Sequence, residues 1–177
     1  MTLYLVRHAT PLVEPASDPA TWQLGADGRA TARRLGIALP ARAVRIASEE
    51  PKAWQTLAPD GERGVIRDSR LGEVRRAEAF SDDFRRVRRQ YVDGAKIDTW
   101  EPREAVVARF AAAVGDARQF AGERDLVIST HGMAMTLWLT SELGLPDPVQ
   151  FWDDLRFPDL FRVDLRAGTV TRVHWTT

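Results

Sequence analysis

Leu3-Tyr4-Leu5-Val6-Arg7-His8-Ala9-Thr10-Pro11 is the stretch that decides the fold. Four apolar residues run without polar alternation, the pattern of a strand buried on both faces. Arg7 and His8 follow at once, and Pro11 and Pro15 keep the next residues irregular. The arrangement recurs far along the chain. Leu126-Val127-Ile128 reads as a second buried strand and runs through Ser129-Thr130 into His131-Gly132. An apolar helix over 133–143 follows, closed by Gly144 and Pro146.

Working outward from these strands, a helix is expected over 28–38, with Arg33 and Arg34 on its wet side. A short strand is expected over 44–47, a helical turn over 53–57 and a third strand over 64–66. Residues 68–100 carry little strand signal. Ser81-Asp82-Asp83 looks like a helix start, and Arg85, Arg86, Arg88 and Arg89 fall on that helix. The clearest helix covers 102–121, with Pro102 in its first turn, Gly122 at its end, and Val106, Phe110, Ala113, Val114 and Ala117 in one apolar stripe. Residues 160–165 and 169–175 alternate around Ala167-Gly168, which predicts a hairpin. Strands alternating with helices imply an α/β fold, a three-layer α/β/α sandwich. Its sheet is mostly parallel, with an antiparallel C-terminal edge hairpin. No repeat or linker divides the 177 residues, so one domain over 1–177 is expected.

Composition narrows the function. The chain has 25 Lys+Arg against 25 Asp+Glu, a balance that argues against nucleic-acid or membrane-surface partners. It has no Cys, which removes disulfides, thiolate nucleophiles and Cys-based metal sites. The opening residues lack the basic region of a signal peptide, and the longest uncharged apolar stretch, 132–140, is too short to span a bilayer. A cytoplasmic location is expected. Of the basic residues all but Lys52 and Lys96 are Arg.

Two of the three histidines, His8 and His131, follow predicted strands, and in open α/β sheets ligands sit beyond the strands' carboxyl ends. Arg7 stands beside the first, and the second opens a helix whose free N–H groups and dipole favour an anion. Imidazole, guanidinium and helix N-terminus together describe a phosphate or oxyanion site. No cluster with metal-ligand spacing accompanies them, so neither a metal nor another cofactor is expected. The expected partner is a small phosphate ester or phosphate itself.

Leu5-Val6-Arg7-His8-Ala9 resembles the Arg-His-Gly signature of the histidine phosphatase superfamily, also called phosphoglycerate mutase-like. Trp22-Gln23-Leu24-Gly25-Ala26-Asp27-Gly28 resembles the segment that leads into an Ala-rich helix. Ala47-Ser48-Glu49-Glu50-Pro51-Lys52-Ala53-Trp54-Gln55-Thr56 is similar to the Ser-Ser-Pro-x-x-Arg-Ala-x-Gln-Thr block. Arg70-Leu71-Gly72-Glu73 resembles the Leu-x-Glu segment, and 126–132 the second His-Gly block. The resemblance implies a phosphatase in which His8 is phosphorylated, Arg7, Lys52, His131 and Thr10 bind the phosphoryl group, and Glu73 is the acid, without a metal. Catalysis thus falls to His8, Glu73 and His131. By spacing alone, Glu78, Asp68 and Glu14 remain alternatives to Glu73. A phosphoprotein substrate and mutase chemistry both occur in the family; the short 68–100 segment, where members place a substrate-facing insertion, favours hydrolysis.

The chain departs from the pattern at Lys52, which replaces the second signature arginine, and at Glu49 and Glu50, which replace apolar or proline residues. Lys offers a compact charge where Arg offers a planar fork. Either Lys52 still contacts phosphate, or Arg45 or Arg67 reaches in, or the protein binds phosphate without full turnover. The arginines over 75–89 are read as a solvated face with Glu78, Asp82 and Asp83 nearby, the alternative being selection of a second anionic group. His174 matches no motif and is expected to be an ordinary edge histidine.

Overall fold

The computed structural model describes residues 1–61, 63–77 and 83–175. Its centre is a six-stranded sheet in the order β3-β2-β4-β1-β5-β6. The strands are β1 Leu3–Arg7, β2 Val44–Ala47, β3 Ile66–Arg67, β4 Leu126–Thr130, β5 Asp159–Asp164 and β6 Thr169–Arg172. β1, β2, β3 and β4 run parallel, whereas β5 pairs antiparallel with β1 and β6 antiparallel with β5. The expected α/β architecture and antiparallel edge are therefore present.

β4 and β1 occupy the middle, and every residue of β4 is buried. This is why both read as unbroken apolar runs: helices cover both faces, leaving no wet side to mark with polar residues. The helices are α1 Ala26–Ala38, α2 Pro51–Leu57, α3 Phe84–Asp93, α4 Arg103–Ala121, α5 Gly132–Leu143 and α6 Pro148–Asp153. The predicted stripe of α4 is buried, with Ala121 extending it. On α5, Met133, Met135, Leu137, Trp138 and Leu139 are all buried, so a helix apolar on every face is a core helix here. Leu35, Leu39, Leu57, Val6 and Leu160 form a smaller cluster on the opposite face.

Three expectations are adjusted. β3 is only Ile66–Arg67: Gly64, two residues before it, has φ 80°, and Asp68, although still extended and donating its N–H to the Ala47 carbonyl, turns the chain by capping the 3₁₀ turn Ser69–Leu71. The helix start at Ser81-Asp82-Asp83 lies partly outside the described residues; Asp83 precedes α3 but makes no side-chain cap and pairs with Arg86 instead. β6 ends at Arg172, so His174 lies just past the strand and is exposed. Helix α6 and the 3₁₀ turns Pro19–Thr21 and Ser69–Leu71 lie in stretches for which no element is expected from the sequence. Among the described residues no helix is long and apolar enough to cross a membrane.

Candidate active site

Parallel pairing of β1 with β4 places Arg7 opposite Thr130, so the residues that follow each strand emerge side by side. His8 N–H donates to the Thr130 carbonyl at 3.0 Å, and the His8 and His131 rings stand 5.1 Å apart between centroids. Two histidines more than a hundred residues apart in sequence thus share one pocket because their strands are neighbours.

Both rings are buried. His8 Nδ1 lies 2.8 Å from the Ala9 carbonyl, which can only accept, so Nδ1 carries the proton. Nε2 is left with the lone pair. Burial, reinforced by His131, Lys52 and Arg7, pushes the His8 pKa well below its usual value, so the ring is neutral at physiological pH. Burial, with Lys52 as the next cause, does the same to His131.

Arg7 Nη1 donates to the Leu155 carbonyl at 2.9 Å, and its guanidinium lies 3.6 Å over the Phe157 ring. Phe157 also packs 5.2 Å from His8. Burial lowers Arg7 to about 10, which still leaves it charged at neutral pH. Arg7 Nε and both His131 ring nitrogens are buried without a hydrogen-bond partner among the described residues. Native proteins rarely leave such groups unpaired, and groups of this kind facing one pocket are suited to the oxygens of an anion. Gly132 lets them converge: a Cβ there would lie 3.2 Å from Trp152 Nε1 and 3.4 Å from Arg7 Nε.

Glu73 sits at the N-terminus of α5. Its Oε1 accepts from Ala134 N at 2.9 Å and Val74 N at 3.0 Å, and its Oε2 from Met133 N at 3.2 Å. Burial alone would raise its pKa, but His131, Arg76 and the Val74 N–H outweigh burial and the repulsion of Glu50, and hold it below the ordinary carboxylate value. Arg109 fixes the backbone there, donating to the carbonyls of Arg70, Gly72 and Glu73 while its Nε pairs with Glu101 at 2.8 Å. Of the other candidate acids, Asp68 caps its own turn and pairs with Arg70. Glu14 accepts from Ser17 at the surface, and Glu78 lies outside the described residues.

Lys52 enters from α2, buried, but its Nζ is held by the Pro19 carbonyl at 2.6 Å and by Glu50 Oε2. Glu50 Oε1 accepts from Glu73 N at 2.7 Å and lies 3.3 Å from His131 Nε2, an approach too bent for a hydrogen bond. The rest of the Lys52 block is scaffolding. Thr56 Oγ1 accepts from Ala9 N, and Gln55 Oε1 accepts from Leu24 N, tying the loop after β1 to α2. Neither alternative arginine substitutes for the signature one: Arg45 donates to Leu57 O, and Arg67 stacks over Trp54. Thr10 is exposed; its side chain makes no hydrogen bond among the described residues, and its carbonyl lies against Gly28. The arginines of α3 are largely paired, Arg85 and Arg89 with Asp153 and Arg86 with Asp83.

The structure thus brings together Arg7, His8, Lys52, Glu73 and His131, while Thr10 makes no contact with these side chains through a hydrogen bond among the described residues. Sequence reading did not assign Glu50, Phe157, Trp152 or Arg76 to this site. Glu50 had a signal, an acid two positions before the unusual lysine; Phe157 and Trp152 lie in a segment without motif and are positioned only by the tertiary fold. A cleft of about 640 Å³ leads to this place, lined by residues 15–20, by Glu50 and Glu73, and by residues 74–77, including Arg75 and Arg76.

Residues 3–163 match the model of the histidine phosphatase superfamily (branch 1). The chain belongs to this family. No curated protein matches it in sequence. Among solved structures it is similar to a mycobacterial glucosyl-3-phosphoglycerate phosphatase (19% identity, 98% of this chain and 97% of that one, TM-score 0.71). A phosphoserine phosphatase variant from Entamoeba histolytica, solved with phosphoserine, matches at 14% identity over 98% and 95% of the two chains, TM-score 0.70. A Bacillus stearothermophilus protein matches at 22% identity over 97% and 94%, TM-score 0.69. At these identities the likeness concerns the fold.

Proposed function

We propose that the protein hydrolyses small phosphomonoesters through a phosphohistidine on His8, without a metal ion. The observation that carries this reading is the tautomer of His8: with Nδ1–H held by the Ala9 carbonyl, the Nε2 lone pair belongs to a neutral, buried imidazole beside Arg7 and His131.

In the first half-reaction Nε2 attacks phosphorus, the N–P bond forms and the P–O bond to the leaving group breaks. Arg7 and His131 donate to the non-bridging oxygens as charge redistributes. The departing oxygen takes a proton from Glu73. Glu73 is held ionised in the free protein, and a phosphate dianion arriving beside it raises its proton affinity, as a like charge does. In the second half-reaction the ionised carboxylate removes a proton from water, water oxygen attacks phosphorus, and the N–P bond breaks. The Val74, Met133 and Ala134 N–H groups favour that ionised form. Among the described residues no group of three or more His, Asp or Glu is placed to hold a metal. The cleft volume falls in the range of sites for small molecules, with both charge signs on its walls.

A second reading, a phosphate-binding member with weak turnover, draws on Lys52 being tied to Pro19 and Glu50 rather than turned to the histidines. Hydrolysis of an aryl phosphate in EDTA separates the two readings. Activity that survives chelation and disappears in His8→Ala supports the hydrolase. Activity that appears only in Lys52→Arg supports the weakened site. Silence in all variants with phosphate still bound supports the binding protein.

A further inference from the structure

Glu50 is a charged group in the pocket that the family signature does not call for. It ends the loop before α2, where its own N–H donates to Ser48 Oγ at 3.2 Å. One carboxylate oxygen takes the Lys52 ammonium; the other takes the Glu73 N–H and crowds His131 Nε2 at 3.3 Å. Its side chain is only 15% exposed, and it lines the cleft, whereas neither histidine does. A phosphate arriving through the cleft therefore meets Glu50 before it meets His131.

We infer that Glu50 is an affinity-setting residue, a resident carboxylate that holds Lys52 and covers His131 until a phosphoryl group displaces it from both. The inference rests on the reading of the His8 pocket as a phosphate site. Phosphate oxygens need the donors that Glu50 now occupies or crowds, and two anions cannot share them without strong repulsion at this depth. The groups facing Glu50 are Lys52 from α2, His131 ahead of α5, Glu73 after the 3₁₀ turn Ser69–Leu71, and Arg76 across the cleft. Arg7, Lys52 and Arg76 are set against Glu50 and Glu73, and both rings are neutral, so Glu50 cancels one of three cationic charges before any anion enters. A pocket built for a dianion gains affinity from surplus positive charge, and that surplus grows when Glu50 leaves. The Arg-to-Lys exchange fits the same account, since a single flexible ammonium can pass from a carboxylate to a phosphate by rotating its stem.

The test is calorimetric titration of the full chain with inorganic phosphate, comparing wild type with Glu50→Gln and Glu50→Ala, alongside aryl phosphate kinetics and melting curves. Glu50→Gln keeps an oxygen to accept the Glu73 N–H. It is expected to bind phosphate at least about tenfold more tightly, about 1.4 kcal/mol, and to lower KM with little change in melting temperature. The gain is expected to shrink below about threefold when Lys52→Met is combined with it, since the two side chains are directly coupled. Unchanged or weaker phosphate binding by the folded variants overturns the inference, as does failure of both variants to fold, which marks Glu50 as structural. If hydrolysis through His8 is present but the variants gain no affinity, this inference falls alone. If no variant hydrolyses yet Glu50→Gln tightens phosphate binding, the hydrolase reading falls alone. If nothing binds phosphate, both fall.

Discussion

Acidification from about pH 7 to about pH 5.5 should destabilise the protein through two residues, His8 and His131. Both rings are buried, and both have native pKa values pushed well below 6.5, first by burial and then by neighbouring positive or imidazole groups. The unfolded chain binds protons at these positions as pH falls through its ordinary value, whereas the native state does not. A His with a depressed native pKa therefore stabilises the fold less as pH falls below 6.5. For each ring the loss across that interval is RT times the logarithm of the extra protonation, about 1.2 kcal/mol, or about 2.5 kcal/mol for the pair. That is a fall of roughly 5–10 °C in melting temperature for a chain this long. The carboxylates with lowered native pKa values, Glu73, Asp68 and Glu101, act at lower pH, because their stabilising effect is lost only as pH falls through their ordinary range. Urea unfolding at the two pH values in wild type, His8→Asn and His131→Asn measures the effect. Each variant should lose about half of what wild type loses. An acid loss unchanged by both substitutions would show that the rings are not held neutral, and would remove the basis for a lone pair on His8 Nε2.

Other consequences follow from the same contacts. Gly28→Ala would set a Cβ 2.2 Å from the Thr10 carbonyl, so the loop after β1 must shift; a loss of about 1–3 kcal/mol is expected in thermal or urea melts. Glu73→Gln should slow phosphoryl transfer from alkyl phosphates to His8 about 10²–10⁴-fold while sparing that step for aryl phosphates, whose leaving group needs no acid; because water attack still lacks its base, aryl phosphates should show a burst of released alcohol followed by slow turnover. Arg109→Ala removes the donor for the Arg70, Gly72 and Glu73 carbonyls and leaves Glu101 without its buried partner; a loss of about 3 kcal/mol and a lower kcat on alkyl phosphates are expected. Phe157→Ala exposes Arg7 and His8 to water, and should bring their pKa values back toward ordinary, which NMR titration of the His8 ring can follow.

The sheet was readable because its central strands are covered on both sides. Leu3-Tyr4-Leu5-Val6 and Leu126-Val127-Ile128 carry no polar alternation, and each leads within three residues to a histidine; that pairing of pattern and chemistry points to the strand ends as the candidate site. Strand order was not readable in the same way. That β1 and β4 are neighbours follows from register across the sheet, and only this turns two separate strand ends into one site. Thr10, two residues past His8, is exposed, and the next residue, Pro11, pairs with Leu24 in an isolated bridge, a pairing between distant positions that no local signal announces.

The arginine-rich helix shows how a correct reading of residue type leaves the role undetermined. Arg85 and Arg89 converge on Asp153 of α6, an acid more than sixty positions away, so their charge is answered by a partner that no window around α3 contains. Glu50 and Lys52 present the reverse case. They are two residues apart, and their pairing was within reach of the sequence, but the meaning of the pair depends on His131 and the Glu73 N–H lying against the same carboxylate. Each of those contacts comes from a different element: α2, the turn after Leu71, and the N-terminus of α5. A motif comparison sees a missing arginine and reads a weakened site. The geometry instead shows a lysine held by a carboxylate that also reaches the second histidine. The substitution at 52 and the substitution at 50 therefore have to be judged together, and Lys52→Arg alone, with Glu50 still present to take the new guanidinium, should restore less than Glu50→Gln does.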